Sequence, residues 1–461
     1  MKGDQLPLHV LLFPCLAFDH GASSSVQLSN WLSHNGINIT FLSPTSFISN
    51  VRSLLHPNIR LVSYHLPPVA GIPAGVEPTV GDLPLLVSLL EAVESCKQQI
   101  TDQLSQLSPQ VVIFDFIHHW LPPLADSLGI KAVFFYTGSA GSAASCLRTI
   151  RRLRAIKLML AVDRLLPSSL LAAFSGLKRC DVRDMLHFFK SHRGVAFSFY
   201  QRLAATITLS SAVALKSATE IERKTIKYLS SRCPKRLLLT GTLVSKAPHE
   251  GLEPRWDWEE WLSKYPAGSV VFCSVGSEVG LPDEQFTEIV AGLEMSGLPF
   301  LLIMDLPPTS KAKVVVEERL GGKGMVCKGW KQKQQQQHIL RHSSVGVYVG
   351  HGELSSMLEA VAGGCQVVVL PTKGDVASDA KVMVGELKAG VAVKVRRSCG
   401  GGRLTREAVC RAVGLLMSED SDRTKRVRAN NAKLRELLLN DSSQQHHIQK
   451  FMAKLRGLMV S

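Results

Sequence analysis

Apolar and polar positions alternate between two periods along this chain, and that alternation predicts most of its architecture. His9 to Phe13 is a short apolar run, the pattern of a strand buried on both faces. Ser23 to Asn35 then repeats apolar residues at helical spacing behind a serine start, and Ile37 to Leu42 returns to a strand. Strand, helix and strand in that order predict parallel pairing, because the crossover helix lets neighbouring strands run the same way. Val111 to Phe114 and Ala132 to Phe135 extend the same sheet.

A second series opens near Ser269. Val270 to Cys273 reads as a strand, Asp283 to Ser296 as a helix and Phe300 to Met304 as a strand; Val345 to Val349, Val367 to Leu370 and Val391 to Val395 continue it. Between the series, Thr240 to Glu253 is rich in Gly, Pro and polar residues, the composition of a linker. The expected organisation is a first α/β domain over 1–239, a linker over 240–255, a second α/β domain over 256–440 and a terminal helical segment over 441–461. Gln334 to Gln337 reads as a loop insertion, Cys399 to Arg403 as a surface turn, and Gln444 to Leu458 as a helix.

Length and composition agree with two or three domains. The chain has 461 residues, of which 45% are hydrophobic and 20% charged, enough apolar surface for a sizeable core. Its 53 basic and 38 acidic residues leave a formal charge of +15. That excess would suit nucleic acid or another anionic partner, but the basic residues fall in short clusters spaced like solvated helix faces. Neither zinc-finger spacing nor an aromatic-interleaved RNA motif accompanies them, so no nucleic-acid partner is expected. Ten cysteines without C-x-x-C spacing fit free thiols in a reducing compartment better than a zinc site or a disulfide framework. The apolar start lacks a basic leader, and no run of 18 apolar residues occurs, so the expectation is a cytoplasmic protein with no membrane span; a monomer is expected as well.

Two constellations carry chemistry. His20 follows the first strand and Asp115 follows the strand Val111 to Phe114, so both fall on the carboxyl edge of one parallel sheet, where ligands bind. A histidine held by a carboxylate can take a proton from a hydroxyl; the plain alternative is one residue capping a loop and the other a helix. The second constellation runs from Trp330 through His351, Ser355, Ser356 and Glu359 to Asp375, with Ser277 in a similar strand-to-helix loop. Helix N-termini with nearby hydroxyls suit a diphosphate. Ser356-x-x-Glu359 reads equally well as a capping box that needs no ligand.

At these residues the sequence resembles the family 1 plant UDP-glycosyltransferases. The pieces Ile339-Leu340-x-His342, Ser344-Val345-Gly346, His351, Ser356-x-x-Glu359 and Pro371-x-x-x-Asp375 follow the order of that family's donor-binding box. His9-Val-Leu-Leu-Phe-Pro through His20, Phe114-Asp115-Phe116-x-His118-x-Trp120 and Ser274-Val-Gly-Ser277 resemble its other marked stretches, so the likeness spans nearly the whole chain. Phe13-Pro-x-x-Ala-Phe-x-His20 and Cys365-Gln366 resemble the subgroup that adds a sugar to a sugar already carried by a flavonoid or terpenoid.

The resemblance implies a GT-B fold, two Rossmann-like parallel-sheet domains facing across a cleft, with acceptor bound in the first and UDP-sugar in the second. The terminal helix is expected to pack back on the first domain. His20 would deprotonate the acceptor hydroxyl, Asp115 would orient His20, and the oxygen would displace UDP with inversion. The reaction would need no metal and no cofactor beyond the UDP-sugar co-substrate. Trp330 would stack on uracil; His351, Ser356 and Ser277 would meet phosphate, Glu359 the ribose and Asp375 the donor sugar, with Ser355 also in the donor site.

The chain departs from the family pattern on the donor side. Glu353 stands where the family has a glycine beside the diphosphate, Ser355 replaces a longer amide, and Val376 replaces a glutamine that contacts the sugar. The glutamine run also lengthens the segment between Trp330 and Ile339. An active transferase with an altered donor preference is one reading. A catalytically weak relative that binds a glycoside or a partner protein is the other.

Overall fold

The computed structural model describes residues 8–14, 19–69, 83–162, 193–244, 257–275, 282–303, 323–327, 333–370, 376–398, 401–417 and 420–460. They cluster into two compact units, Met1–Gly241 with His447–Ser461, and Thr242–His446. Most of the expected linker, 245–255, lies outside the described residues.

In the first unit, β1 (His9–Phe13) leads to α1 (Asp19–His34), β2 (Asn38–Pro44) and β3 (Arg60–Tyr64). Helices α2 (Leu83–Ser95) and α3 (Lys97–Leu107) precede β4 (Val111–Phe114), α4 (Leu121–Ser127) and β5 (Lys131–Tyr136). Then come α5 (Ala140–Val162), α6 (Arg193–Leu209), β6 (Ala212–Leu215), α7 (Thr219–Arg232) and β7 (Leu237–Leu239). The strands form one parallel sheet in the order β3-β2-β1-β4-β5-β6-β7. The order reverses between β1 and β4, which pair in register from Val10 opposite Val111 to Phe13 opposite Phe114. Their carboxyl ends therefore emerge side by side at the switch point, the place where such sheets bind ligands.

Why these strands sit inside is plain from their composition. Leu11, Phe13, Phe114 and Phe134 pack against Ile100 and Leu104 of α3 in one buried cluster. Each such side chain taken from water contributes roughly 1.5–3 kcal/mol. Helix α1 starts earlier than its serines suggested. Those serines are spent inside it: Ser29 donates to the Ser25 carbonyl at 2.7 Å, and Ser24 accepts from Lys216 at 3.0 Å.

The second unit repeats the plan. It runs through α8 (Asp257–Leu262), β8 (Val270–Ser274), α9 (Asp283–Met295), β9 (Phe300–Ile303), β10 (Gly324–Cys327), α10 (Lys333–Arg341) and β11 (Val345–Gly350). After these come α11 (Leu354–Gly363), β12 (Gln366–Val369), α12 (Val376–Lys381), β13 (Gly390–Ala392), β14 (Arg396–Ser398) and β15 (Gly401–Arg403). Helices α13 (Arg406–Met417) and α14 (Asp422–Leu439) follow. The parallel sheet reads β10-β9-β8-β11-β12-β13, with its switch between β8 and β11, where Ser274 lies opposite Gly350. Helix α15 (Asp441–Gly457) ends the chain; its Ile448, Phe451 and Leu455 are fully buried, and His447 meets Glu220 at 3.2 Å.

Two sequence expectations need correction. The glutamine run is no loop: Lys333–Arg341 is helical, and Gln335, Gln336 and Gln337 are buried. Glutamine is a good helix former, and the helix is anchored by Ile339 and Leu340, both buried. The glycine-rich segment at the surface is only partly a turn, since Gly401–Arg403 pairs antiparallel with Arg396–Ser398. Cys399 and Gly400 lie outside the described residues. Among the described residues, no helix is long and apolar enough to cross a membrane.

Candidate active site

Asp115 leaves the carboxyl end of β4, next to the exit of β1. It caps a single 3-10 turn, Phe116–His118, and its Oδ1 accepts the Phe116 N–H at 2.5 Å. Thr206 of α6 holds the next peptide by donating to the Phe116 carbonyl at 3.3 Å. The carboxyl is only 7% exposed. Burial pushes it up to about 7, and the Phe116 N–H offsets that only in part. A carboxyl with that poise can exchange a proton near neutrality.

The neighbours of Asp115 hold the turn in place. His118 is fully buried and stacks on Phe13, ring centroids 3.7 Å apart, and burial takes it down to about 3, so the ring stays neutral. His119 Nδ1 lies 3.2 Å from Arg202 of α6, and Arg202 pairs with Glu94 of α2. His20 lies in the first turn of α1; its side chain is outside the described residues. The topology thus puts the helix that carries His20 after the strand beside β4.

In the second unit, β11 hands over to α11 through His351, Gly352 and Glu353. Gly352 has φ +98°, a left-handed turn that glycine adopts without strain. His351 is buried; burial lowers its pKa, while Glu353 and a hydrogen bond to the Ser274 backbone act the other way. Glu353 is the N-cap residue, and Ser355 and Ser356 fall in the first turn of α11. Ser356 donates to Glu353 Oε2 at 3.0 Å, and His351 Nε2 is 4.0 Å from the same oxygen. The Ser356-x-x-Glu359 capping box is therefore absent, because Ser356 sits inside the helix rather than at its cap. Glu359 is buried within α11, and its charge is felt by Arg341 of α10.

The structure brings His351, Ser355 and Ser356 together at one helix end, with Glu359 further along the same helix. Ser277, Trp330 and Asp375 lie outside the described residues, as does the side chain of Val376. Three residues were missed by sequence reasoning. Asp379 of α12 accepts the Leu354 N–H at 3.0 Å. Glu222 accepts the first N–H groups of α5, and Lys216 leaves the carboxyl end of β6 buried. Only Lys216 had a signal, a charge set directly after the apolar run Ala212 to Leu215; the two acids look like ordinary solvated helix charges.

Fold and site thus define a chain of two Rossmann-like parallel-sheet units. Solved structures share this architecture. A Glycyrrhiza uralensis protein, UGT73P12, complexed with glycyrrhetinic acid 3-O-monoglucuronide aligns over 98% of this chain and 96% of its own, at TM-score 0.77 and 19% identity. An Arabidopsis thaliana protein complexed with UDP-L-rhamnose aligns over 99% and 100%, at TM-score 0.73 and 22% identity. The fold is GT-B. The family model described as UDP-glucoronosyl and UDP-glucosyl transferase matches residues 98–423. The anthocyanidin-3-O-glucoside rhamnosyltransferase of Petunia hybrida is 35% identical over 99% of this chain and 98% of its own length. An anthocyanidin 3-O-glucoside 2''-O-glucosyltransferase of Ipomoea nil is 32% identical over 98% of each. The chain belongs to the UDP-glycosyltransferase family and is a sugar-transferring enzyme that uses a UDP-sugar.

Proposed function

We propose that this enzyme moves a sugar from a UDP-sugar to a hydroxyl of a small-molecule glycoside, with inversion at the anomeric carbon. A flavonoid glycoside of the anthocyanin type is the first acceptor to test, a terpenoid glycoside the second. The names of the Petunia and Ipomoea relatives support a sugar as the site of attachment. The observation that carries the mechanism is the buried carboxyl of Asp115 at the β1/β4 switch point, beside the strand that leads to His20.

In this reading His20 takes the proton of the acceptor hydroxyl, and Asp115 orients the imidazole and balances the positive charge it gains. The acceptor oxygen forms its bond to the anomeric carbon from the face opposite UDP, and the bond to the diphosphate oxygen breaks. The donor diphosphate binds at the N-terminus of α11, where helix N–H groups, His351 and Ser356 offset the charge it develops on leaving. Trp330, Glu359, Asp375 and Ser277 complete the donor site in the same reading. Transfer is expected to persist in EDTA.

The test is a transfer assay with UDP-glucose, UDP-rhamnose, UDP-xylose and UDP-galactose against a panel of flavonoid and terpenoid glycosides. In the best pair, H20A should lose about 10²- to 10⁴-fold in kcat/KM, the usual worth of a positioned general base, while still binding UDP. An H20A enzyme that keeps wild-type turnover would sink this assignment of the base.

A further inference from the structure

The turn into α11 holds one of the departures noted in the sequence, Glu353, and the structure gives it a geometry. Glu353 sits at the N-cap, yet its side chain caps no backbone N–H of the helix. Its carboxylate turns instead to the Ser356 hydroxyl, at 3.0 Å, and toward His351 Nε2, at 4.0 Å. These are two of the side chains that would meet the leaving diphosphate. From α12, Asp379 has taken the Leu354 N–H.

The two acids differ in freedom to move. Asp379 is 5% exposed and reaches in from a separate helix, so it is part of the packed frame. The Glu353 side chain is 23% exposed, at the rim, and meets Ser356 side chain to side chain, a contact that a change of its own rotamer would break without moving the backbone. A carboxylate and a phosphate oxygen ask for the same partners, O–H donors and the positive end of a helix. Two anions cannot share them without repulsion.

We propose that Glu353 is a built-in competitor for the donor: its carboxylate holds Ser356 and faces His351, and it must withdraw before the diphosphate of a UDP-sugar can bind. This inference rests on the assignment of the donor to the α11 N-terminus. It makes Glu353 a determinant of affinity that acts on the diphosphate and not on the nucleoside. A ligand with uridine and no phosphate does not contend with it.

The experiment is calorimetric titration of the full-length enzyme with UDP and with uridine, at one pH and one ionic strength, using wild type, E353Q and E353G. E353Q keeps the size of the side chain and removes the charge; E353G removes both and stands in should the amide disturb folding, which thermal melts of each variant report. UDP should bind about tenfold or more tightly to the variants, the scale of one removed charge conflict, with uridine unchanged. Binding of UDP by a variant alone also supports the proposal. Equal UDP affinity in all three proteins overturns it and leaves the donor assignment standing. A parallel gain for UDP and uridine overturns it as well, since the charge would then not be what was removed. Failure of all three proteins to bind UDP at millimolar concentration overturns the donor assignment, and this proposal with it.

Discussion

Helices α5 and α11 both leave a parallel strand at its carboxyl end, and the chain finishes their N-termini in different ways. At α5 the cap is complete. Glu222 is fully buried, accepts the N–H groups of Ala140 and Gly141 at 2.9 and 2.8 Å, and takes the Ser217 hydroxyl at 2.7 Å. To reach them the backbone of α7 leaves helical geometry at Glu222, with φ −128° and ψ 42°. At α11 the carboxylate that meets a backbone N–H comes from α12, and the N-cap acid Glu353 spends itself on a side chain. A carboxylate at a helix start is thus no sign of a ligand site by itself. What sets α11 apart is an acid at the rim that takes the Ser356 hydroxyl, one of the donors assigned above to the proposed diphosphate, while Glu222 closes α5 with bonds that fold the chain.

Asp115 sharpens the contrast within the first unit. It is buried almost as deeply as Glu222, but among the described residues it accepts one local N–H where Glu222 accepts at least three donors. Its charge is therefore poorly compensated, and burial holds its carboxyl near 7 against an ordinary value of 3.8. Between about pH 4 and pH 7 the folded chain keeps a proton on Asp115 that the unfolded chain has lost. Stability from this group is highest at the acid end and falls as pH rises through the window, by roughly 4 kcal/mol in full. D115N should remove that slope, so that denaturant unfolding at pH 5 and pH 8 differs less than in wild type. If His20 pairs with Asp115 as proposed, its imidazolium supports the carboxylate, and H20A should steepen the slope. A slope identical in H20A and wild type would separate the two residues.

Glu222 should give the next largest effect. E222A strands two buried N–H groups and a hydroxyl, and each unsatisfied group costs about 1–3 kcal/mol before relaxation. A loss of about 3 kcal/mol or more in the unfolding free energy of the first unit is expected, with E222Q milder because an amide oxygen still accepts. A loss below 1 kcal/mol for E222A would mean that α5 is not closed in the way its bonds suggest.

These cases also explain what could be read from the sequence. Both sheets were legible because parallel strands buried on both faces write continuous apolar runs, as Val111 to Phe114 and Val367 to Val369 do. Asp115 and His351 were legible because each follows such a run directly, where a polar residue has to lie at the sheet edge. Asp379 and Glu222 were not: their positions are set by helices distant in sequence, and nothing in Ser-Asp-Ala or Glu-Ile-Glu says which acid is buried. The glutamine run misled for a related reason. Low complexity suggests a loop, but helix propensity and the packing of Ile339 and Leu340 win.

The smallest effect belongs to Asp379, and it tests the comparison most directly. If α11 is a site left for a ligand, its protein-made cap should be worth no more than an ordinary one. D379A should then cost about 1 kcal/mol, the common value of a single side-chain cap, and D379N less, since its oxygen can still accept the Leu354 N–H. Saturating UDP should narrow the gap between D379A and wild type if the diphosphate supplies acceptors of its own at that turn. A loss matching that of E222A, unchanged by UDP, would make α11 a finished structural end like α5. The donor diphosphate would then need another home in the second unit.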